Sequence, residues 1–294
     1  MRPVALRYFK NFSCQGMKAI FDDISIQCSK ITTQRYSTSF SSGIRFLDKG
    51  LHAHIYAIYG FVRYADEIVD SFHDYDKAKL FAEYKTETWK AIARKISINP
   101  ILNSFQHTVR TFAINHELIE HFFESMETDL QHAVHTEASY SRYIYGSAES
   151  VGLMCLKVFT GNDPAAYEEL KYPAMKLGAA FQKVNFLRDM QADHAALGRI
   201  YFPGVDFNSF SDDRKRAIEN DIEEDFREAL VGIKALPAGA KKGVYLAYCY
   251  YRELFLAIKR TRANALKQKR IRVPEHRKLI LACSSALKNK FNLL

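Results

Sequence analysis

Apolar residues recur at helical spacing from about residue 20 onward, and no block of alternating strand pattern bounded by turn residues interrupts them. Such a chain buries stripes on helices rather than one face of a sheet, so the fold class it predicts is all-α. Helix-ending residues punctuate the pattern at Gly43 and Gly50, Asn99-Pro100, Gly161 to Pro164, Gly204, Pro237 to Gly239, and Pro274. No internal repeat or low-complexity stretch is visible. The one irregular excursion expected spans about 198–213.

With 294 residues, 48% of them hydrophobic, the chain can bury one large core or two small ones, and a single helical domain over 19–294 is expected. Residues 1–18 (MRPVALRYFKNFSCQGMK) are basic and carry neither a long apolar run nor a small-residue cleavage site. They read as an extension outside the core, with an organellar leader or a start at Met17 as alternatives. No run of about 18 uncharged apolar residues occurs, so no membrane-spanning helix is expected. Five cysteines (Cys14, Cys28, Cys155, Cys249, Cys283) lie far apart, without the close pairs of zinc or redox motifs. They read as buried thiols of a reducing, cytoplasmic compartment.

Forty-two Lys and Arg against 33 Asp and Glu leave a formal charge of +9, and much of the excess sits between Lys259 and Lys290. Nucleic acid, an anionic membrane surface or a diphosphate would each suit that balance, as would a merely solvated basic face.

Two constellations carry chemistry. The first is Arg63-Tyr64-Ala65-Asp66-Glu67-Ile68-Val69-Asp70, inside an apolar and aromatic stretch that begins near His54. On a helix Asp66 and Asp70 are i,i+4 neighbours, with Arg63 one turn earlier on the same side. Like charges at that spacing repel, and a divalent cation would remove the repulsion. Two acids four apart are also common on exposed helix faces, so this pattern alone does not decide.

The second is Gln182, Asn185, Asp189 and Asp193 in FQKVNFLRDMQAD, a polar stripe along one side of a helix whose other faces carry Phe181, Val184, Leu187 and Met190. An ordinary surface helix would pair its acids with lysines instead. Gly178, Ala179 and Ala180 just before it allow close approach of a neighbouring helix. Oxygen-only donors from two facing helices suit magnesium, with manganese as a substitute, and a magnesium site of that kind takes a diphosphate.

YGFVRYADEIVD resembles the first aspartate-rich motif of squalene and phytoene synthases, and QKVNFLRDMQAD followed by GRIYFP resembles the second. YIYGSAESVGLM (Tyr143 to Met154) is similar to the family's central tyrosine-containing helix, and STSF (Ser37 to Phe40) to its N-terminal substrate-binding segment. The resemblance runs from about residue 25 to 285 and implies one isoprenoid-synthase bundle around an apolar cavity. It implies that Asp66, Asp70, Asn185, Asp189 and Asp193 hold magnesium, with Arg63 assisting and Tyr143 facing the reacting carbons. Ser37, Ser39, Phe40, Gln182, Asn185, Arg188, Arg199 and Tyr201 would bind two allylic isoprenoid diphosphates. Tyr145, Phe181 and the cluster Tyr245, Tyr248, Tyr250 and Tyr251 are candidates to stabilise cations, or simply to pack.

Two positions depart from the family pattern. Glu149 replaces a usual glycine and would put bulk and charge beside the pocket wall. Thr38 stands where relatives often carry a basic residue, which moves a phosphate contact to Arg35 or removes it. DEIVD looks more like the phytoene branch than the squalene branch, so two geranylgeranyl diphosphates, no NADPH and a monomer are expected, with a fifteen-carbon enzyme as the alternative. A non-catalytic relative would not need both acid pairs. No nucleic-acid partner is expected; peripheral contact with an anionic membrane is.

Overall fold

The computed structural model describes residues 14–131 and 135–272. Among the described residues every regular element is helical, in agreement with the periodicity. In chain order they are α1 (Cys14–Tyr36), α2 (Thr38–Arg45), α3 (Lys49–Ser71), α4 (Lys77–Arg94), α5 (Pro100–Thr111) and α6 (His116–Leu130). There follow α7 (Glu137–Ile144), a π-helical turn (Tyr145–Glu149), α8 (Ser150–Thr160), α9 (Pro164–Leu197), α10 (Asp212–Ala235), α11 (Ala238–Lys259) and α12 (Ala263–Leu266). Most of the expected 1–18 extension, and Pro274 with the residues from 273 onward, lie outside the described residues.

Local chemistry accounts for most boundaries. Asn99 caps α5 by accepting from the N–H groups of Ile101 and Leu102, with Pro100 inside the first turn. Asp163 does the same for α9 through Ala165 and Ala166, again followed by proline. Two glycines behave otherwise. Gly43 sits buried inside α2, because its bare Cα lies against the carbonyl of Gly243 on α11, and Gly50 lies in the first turn of α3. The chain between those helices bends at Phe46 to Asp48 instead.

Two cores hold the bundle. In one, Phe61 of α3 stacks on Phe105 of α5 at 3.8 Å and meets Phe122 and Phe123 of α6, all fully buried. Each such side chain contributes about 1.5–3 kcal/mol of burial free energy. The other packs α9, α10 and α11 around Phe226 and Phe255. Helix α9 crosses between them. Its internal Pro173 fits against Gly232 of α10, where a Cβ would come within 2.4 Å of the proline ring. Gly198 ends α9 at φ 64°, and the N–H groups of Gly198 and Arg199 bond the carbonyls of His194 and Asp193. That left-handed cap starts the irregular stretch to Ser211, where the sequence pattern expects it.

Candidate active site

Helices α1–α3 and α6–α11, with the π-helical turn, enclose a cavity of about 550 Å³. Aliphatic side chains such as Ile55, Ile58, Val151, Leu156, Ile233 and Val244 line most of it. The acids of both constellations line it too: Asp66 and Asp70 from α3, Asp189 and Asp193 from α9.

On α3, burial, then the charge of Asp70, pushes the Asp66 carboxyl up to about 7. Arg63 lines the same cavity but pairs with Glu67, one turn on, and its guanidinium stacks over the Tyr36 ring at 4.2 Å. Its buried Nε has no hydrogen-bond partner.

On α9 the polar stripe faces the cavity throughout, with Gln182, Asn185, Asp189 and Asp193 all in the lining. The Tyr251 hydroxyl donates to Asn185 Oδ1 at 3.2 Å, and Asn185 Nδ2 reaches Gln182 at 3.5 Å. Asp189 accepts from Arg188 Nε at 3.0 Å and pairs with Arg270 at 2.7 Å. Asp193 is pushed up to about 7, chiefly by burial and then by the charges of Asp189 and Asp70.

Beside the aspartates lies a second polar group, of which Asp129, Tyr143 and Tyr201 also line the cavity. Arg199 donates to Asp70 at 2.9 Å and to the carbonyl of Asp129 at 2.8 Å, while the buried Tyr143 hydroxyl donates to Asp129 Oδ2 at 2.7 Å. Tyr201 stacks on Phe186 at 4.0 Å and receives a 3.3 Å bond from Arg199. Burial raises Asp129 to about 7 against the opposing charge of Arg199. Sequence spacing does not single out Asp129 or Arg270, because their partners come from distant parts of the chain: Arg199 and Tyr143 for the first, Asp189 for the second. The signal for Asp129 is an acid in the apolar pattern of α6 (HFFESMETDL).

The remaining candidates divide. Ser37 and Phe40 line the cavity, Ser37 also capping α2 through the N–H of Phe40. Ser39, Thr38, Arg35 and Arg199 do not line it; Arg35 is exposed, and Arg199 acts from behind Asp70. Of the cation-stabilising aromatics, Phe181 and Tyr251 line it and stack at 3.8 Å, whereas Tyr145, Tyr245, Tyr248 and Tyr250 lie elsewhere. Glu149 is not in the wall either. It follows the wall residues Ser147 and Ala148 and sits in the field of Lys176, Lys183 and Asp225, with burial raising it to about 7.

The donor set is what a hard divalent cation takes: four carboxylates and an amide, from two facing helices. Among the described residues no three acids or histidines stand close enough together to hold a metal as they are placed. Asp70 and Asp189 are paired with Arg199 and Arg270. Burial first, and the neighbouring carboxylates second, make the charged forms of Asp66 and Asp193 costly, a cost a cation between them would offset, so the residues fit the ion in kind.

The architecture is the all-α isoprenoid synthase fold. A crystal structure of a dehydrosqualene synthase with ligand superposes at a TM-score of 0.78, covering 92% of this chain and 98% of the other at 20% identity. The squalene synthase of Alicyclobacillus acidocaldarius superposes at 0.69, covering 82% of this chain and 95% of that one at 23% identity. Residues 33–277 match the squalene/phytoene synthase family model, and the chain belongs to that family of prenyltransferases. It is 26% identical to a phytoene synthase of Arthrospira platensis over 91% of this chain and 94% of that protein. A presqualene diphosphate synthase of Rhodopseudomonas palustris is 30% identical over 56% of this chain, a match spanning 58% of the relative.

Proposed function

We propose that this chain is a phytoene synthase, condensing two geranylgeranyl diphosphates head to head. The observation that carries the reading is an apolar cavity with two aspartate pairs supplied to it by different helices. Hydrocarbon tails suit the aliphatic wall, and diphosphates suit the aspartates through a bridging cation. The near full-length similarity to a phytoene synthase favours the twenty-carbon substrate.

Magnesium, or manganese in its place, held by Asp66, Asp70, Asn185, Asp189 and Asp193, would neutralise the departing diphosphate as a Lewis acid. The chain's own groups do the rest. Arg63, Arg188 and Arg270 supply charge-assisted donors to phosphate oxygens, and Gln182 and Ser37 supply neutral ones. Asp129 holds the Tyr143 hydroxyl, which leaves the ring and oxygen lone pairs of Tyr143 to face an allylic cation. Phe40, Phe181 and Tyr251 offer further π faces, and the aliphatic wall keeps water from quenching the cation. After the first diphosphate leaves, the double bond of the second substrate attacks the allylic cation, and loss of a proton from the resulting tertiary cation closes the ring to give a cyclopropyl diphosphate. A second ionisation rearranges it, and loss of a proton, rather than hydride from NADPH, ends the reaction.

A fifteen-carbon reading, with presqualene diphosphate, squalene or dehydrosqualene as product, is favoured by the 30% identity to a presqualene diphosphate synthase. Incubating the protein with magnesium and both diphosphates in competition, with and without NADPH, separates the two. Phytoene as the main product without NADPH supports the proposal, and a thirty-carbon main product overturns it.

A further inference from the structure

We propose that one end of the bundle, formed by the α2–α3 and α10–α11 turns, is a docking surface for an anionic lipid bilayer. The two turns are locked together. The N–H of Asp48 donates to the carbonyl of Gly239 at 2.8 Å, and a Cβ on Gly243 would come within 2.6 Å of the Gly43 carbonyl. They carry Arg45, Lys49, Lys234, Lys241 and Lys242 against one acid, Asp48. Among the described residues no ion pair or side-chain hydrogen bond engages any of the five cations. Elsewhere lysines and arginines are commonly paired, as in Lys18 with Asp22, Lys85 with Glu120 and Arg252 with Glu223.

Exposed apolar side chains stand beside these charges. Phe46, on the first turn, is 37% exposed, and Val231, one helical turn before the end of α10, is 66% exposed. A soluble polyanion would account for the cations but not for these two side chains; a bilayer interface takes both. Ile44, Leu47, Leu236 and Val244, on the inner side of the same elements, line the cavity. Along α3 the surface lies about 30 Å from Asp70, at about 1.5 Å per residue from Lys49. Docking here sets the apolar wall of the cavity against lipid and leaves the aspartates in water.

The basic segment from Lys259 to Lys290 is a poorer candidate. Residues from 273 lie outside the described ones; of the rest Lys259, Lys267 and Arg270 are engaged by Glu223, the Asn208 carbonyl and Asp189, and no large apolar side chain among the described residues there is exposed to accompany Arg260, Arg262, Lys269 and Arg272. The proposal deepens the isoprenoid reading, because long-chain substrates and products dissolve in bilayers, but its test reads binding and not turnover.

The full chain is floated with phosphatidylcholine vesicles, and with vesicles about one-third phosphatidylglycerol, in about 0.1 M and 0.5 M salt. The wild type should bind the anionic vesicles, not the neutral ones, and release in high salt. Replacing Arg45, Lys49, Lys234 and Lys242 together by Gln should weaken binding by about tenfold or more. A control with the same charge change, Lys79, Arg94, Lys95 and Arg110 to Gln on α4, its C-cap and α5, should lose several-fold less, and Phe46→Ser alone should weaken binding relative to the wild type. Melting curves of both quadruple variants verify that they fold. Equal loss in the two variants, no loss in the first, or wild-type binding that is absent or equal on neutral vesicles overturns the proposal.

Discussion

Replacing Asp66 by Asn should make the metal-free protein more stable while removing its activity. The Asp66 carboxyl sits at about 7 against an ordinary value of 3.8, because burial and then Asp70 disfavour its charge. The folded chain therefore binds this proton more tightly than the unfolded chain does. Stability from the group is full below pH 3.8, falls as pH rises, and is fully lost above about 7. The displacement corresponds to about 4 kcal/mol, and water reaching the partly open carboxyl with relaxation of Asp70 reduces it to about 2 kcal/mol. An amide of the same shape carries no such cost. In a chelator at pH 8.5 the variant should melt about 4 °C above the wild type, at about 2 °C per kcal/mol for a chain of this size, and at pH 5, where roughly 40% of the penalty is already present, the gain should fall to about 1.5 °C. Adding magnesium at pH 8.5 should raise the wild-type melting point and leave the variant unchanged. A gain equal at both pH values, or a variant less stable than the wild type at pH 8.5, would refute the reasoning.

Asp225 is fully buried between Lys176 at 2.9 Å and Lys183 at 2.6 Å, so Asp225→Ala should cost about 3–5 kcal/mol in urea denaturation, and Lys183→Met in the same chain should recover part of it. A loss below about 1 kcal/mol would contradict the pairing. Glu149 is raised from 4.5 to about 7 by burial, so its charge costs stability as pH rises through that window; Glu149→Gln should raise the melting point clearly at pH 8.5 and much less at pH 5. Tyr143→Phe removes the bond to Asp129 and should lower stability by about 1.5–3 kcal/mol and slow product formation, with substrate binding by calorimetry nearly unchanged.

The helical class was legible because the 3.6-residue periodicity and the capping residues act locally, as at Asn99-Pro100 and Asp163-Pro164. The aspartate stripes were legible for the same reason: acids placed at i,i+4 in apolar helices stand out before any partner is known. Residues whose meaning lies in a long-range partner were not. Asp129 gains its role only from Arg199 and Tyr143, and Arg270 only from Asp189. Gly43 misleads in the other direction, since a helix breaker in isolation becomes a contact point once Gly243 lies against it. Glu149 shows the same limit, because the π-helical turn that carries it leaves Ser147 and Ala148 in the cavity wall while Glu149 lies in the field of Lys176 and Lys183.

Whether the two aspartate pairs act together on a metal–diphosphate unit is tested by calorimetry with an unreactive thio-analogue of geranylgeranyl diphosphate, titrated with and without magnesium. The wild type should bind the analogue tightly only when magnesium is present. Asp66→Asn on α3 and Asp193→Asn on α9 should each lose that magnesium-dependent gain, and the double variant should lose little more, as expected of groups that serve one site. Magnesium-dependent binding that survives in either single variant, or analogue binding indifferent to magnesium in the wild type, would contradict a shared metal–diphosphate site.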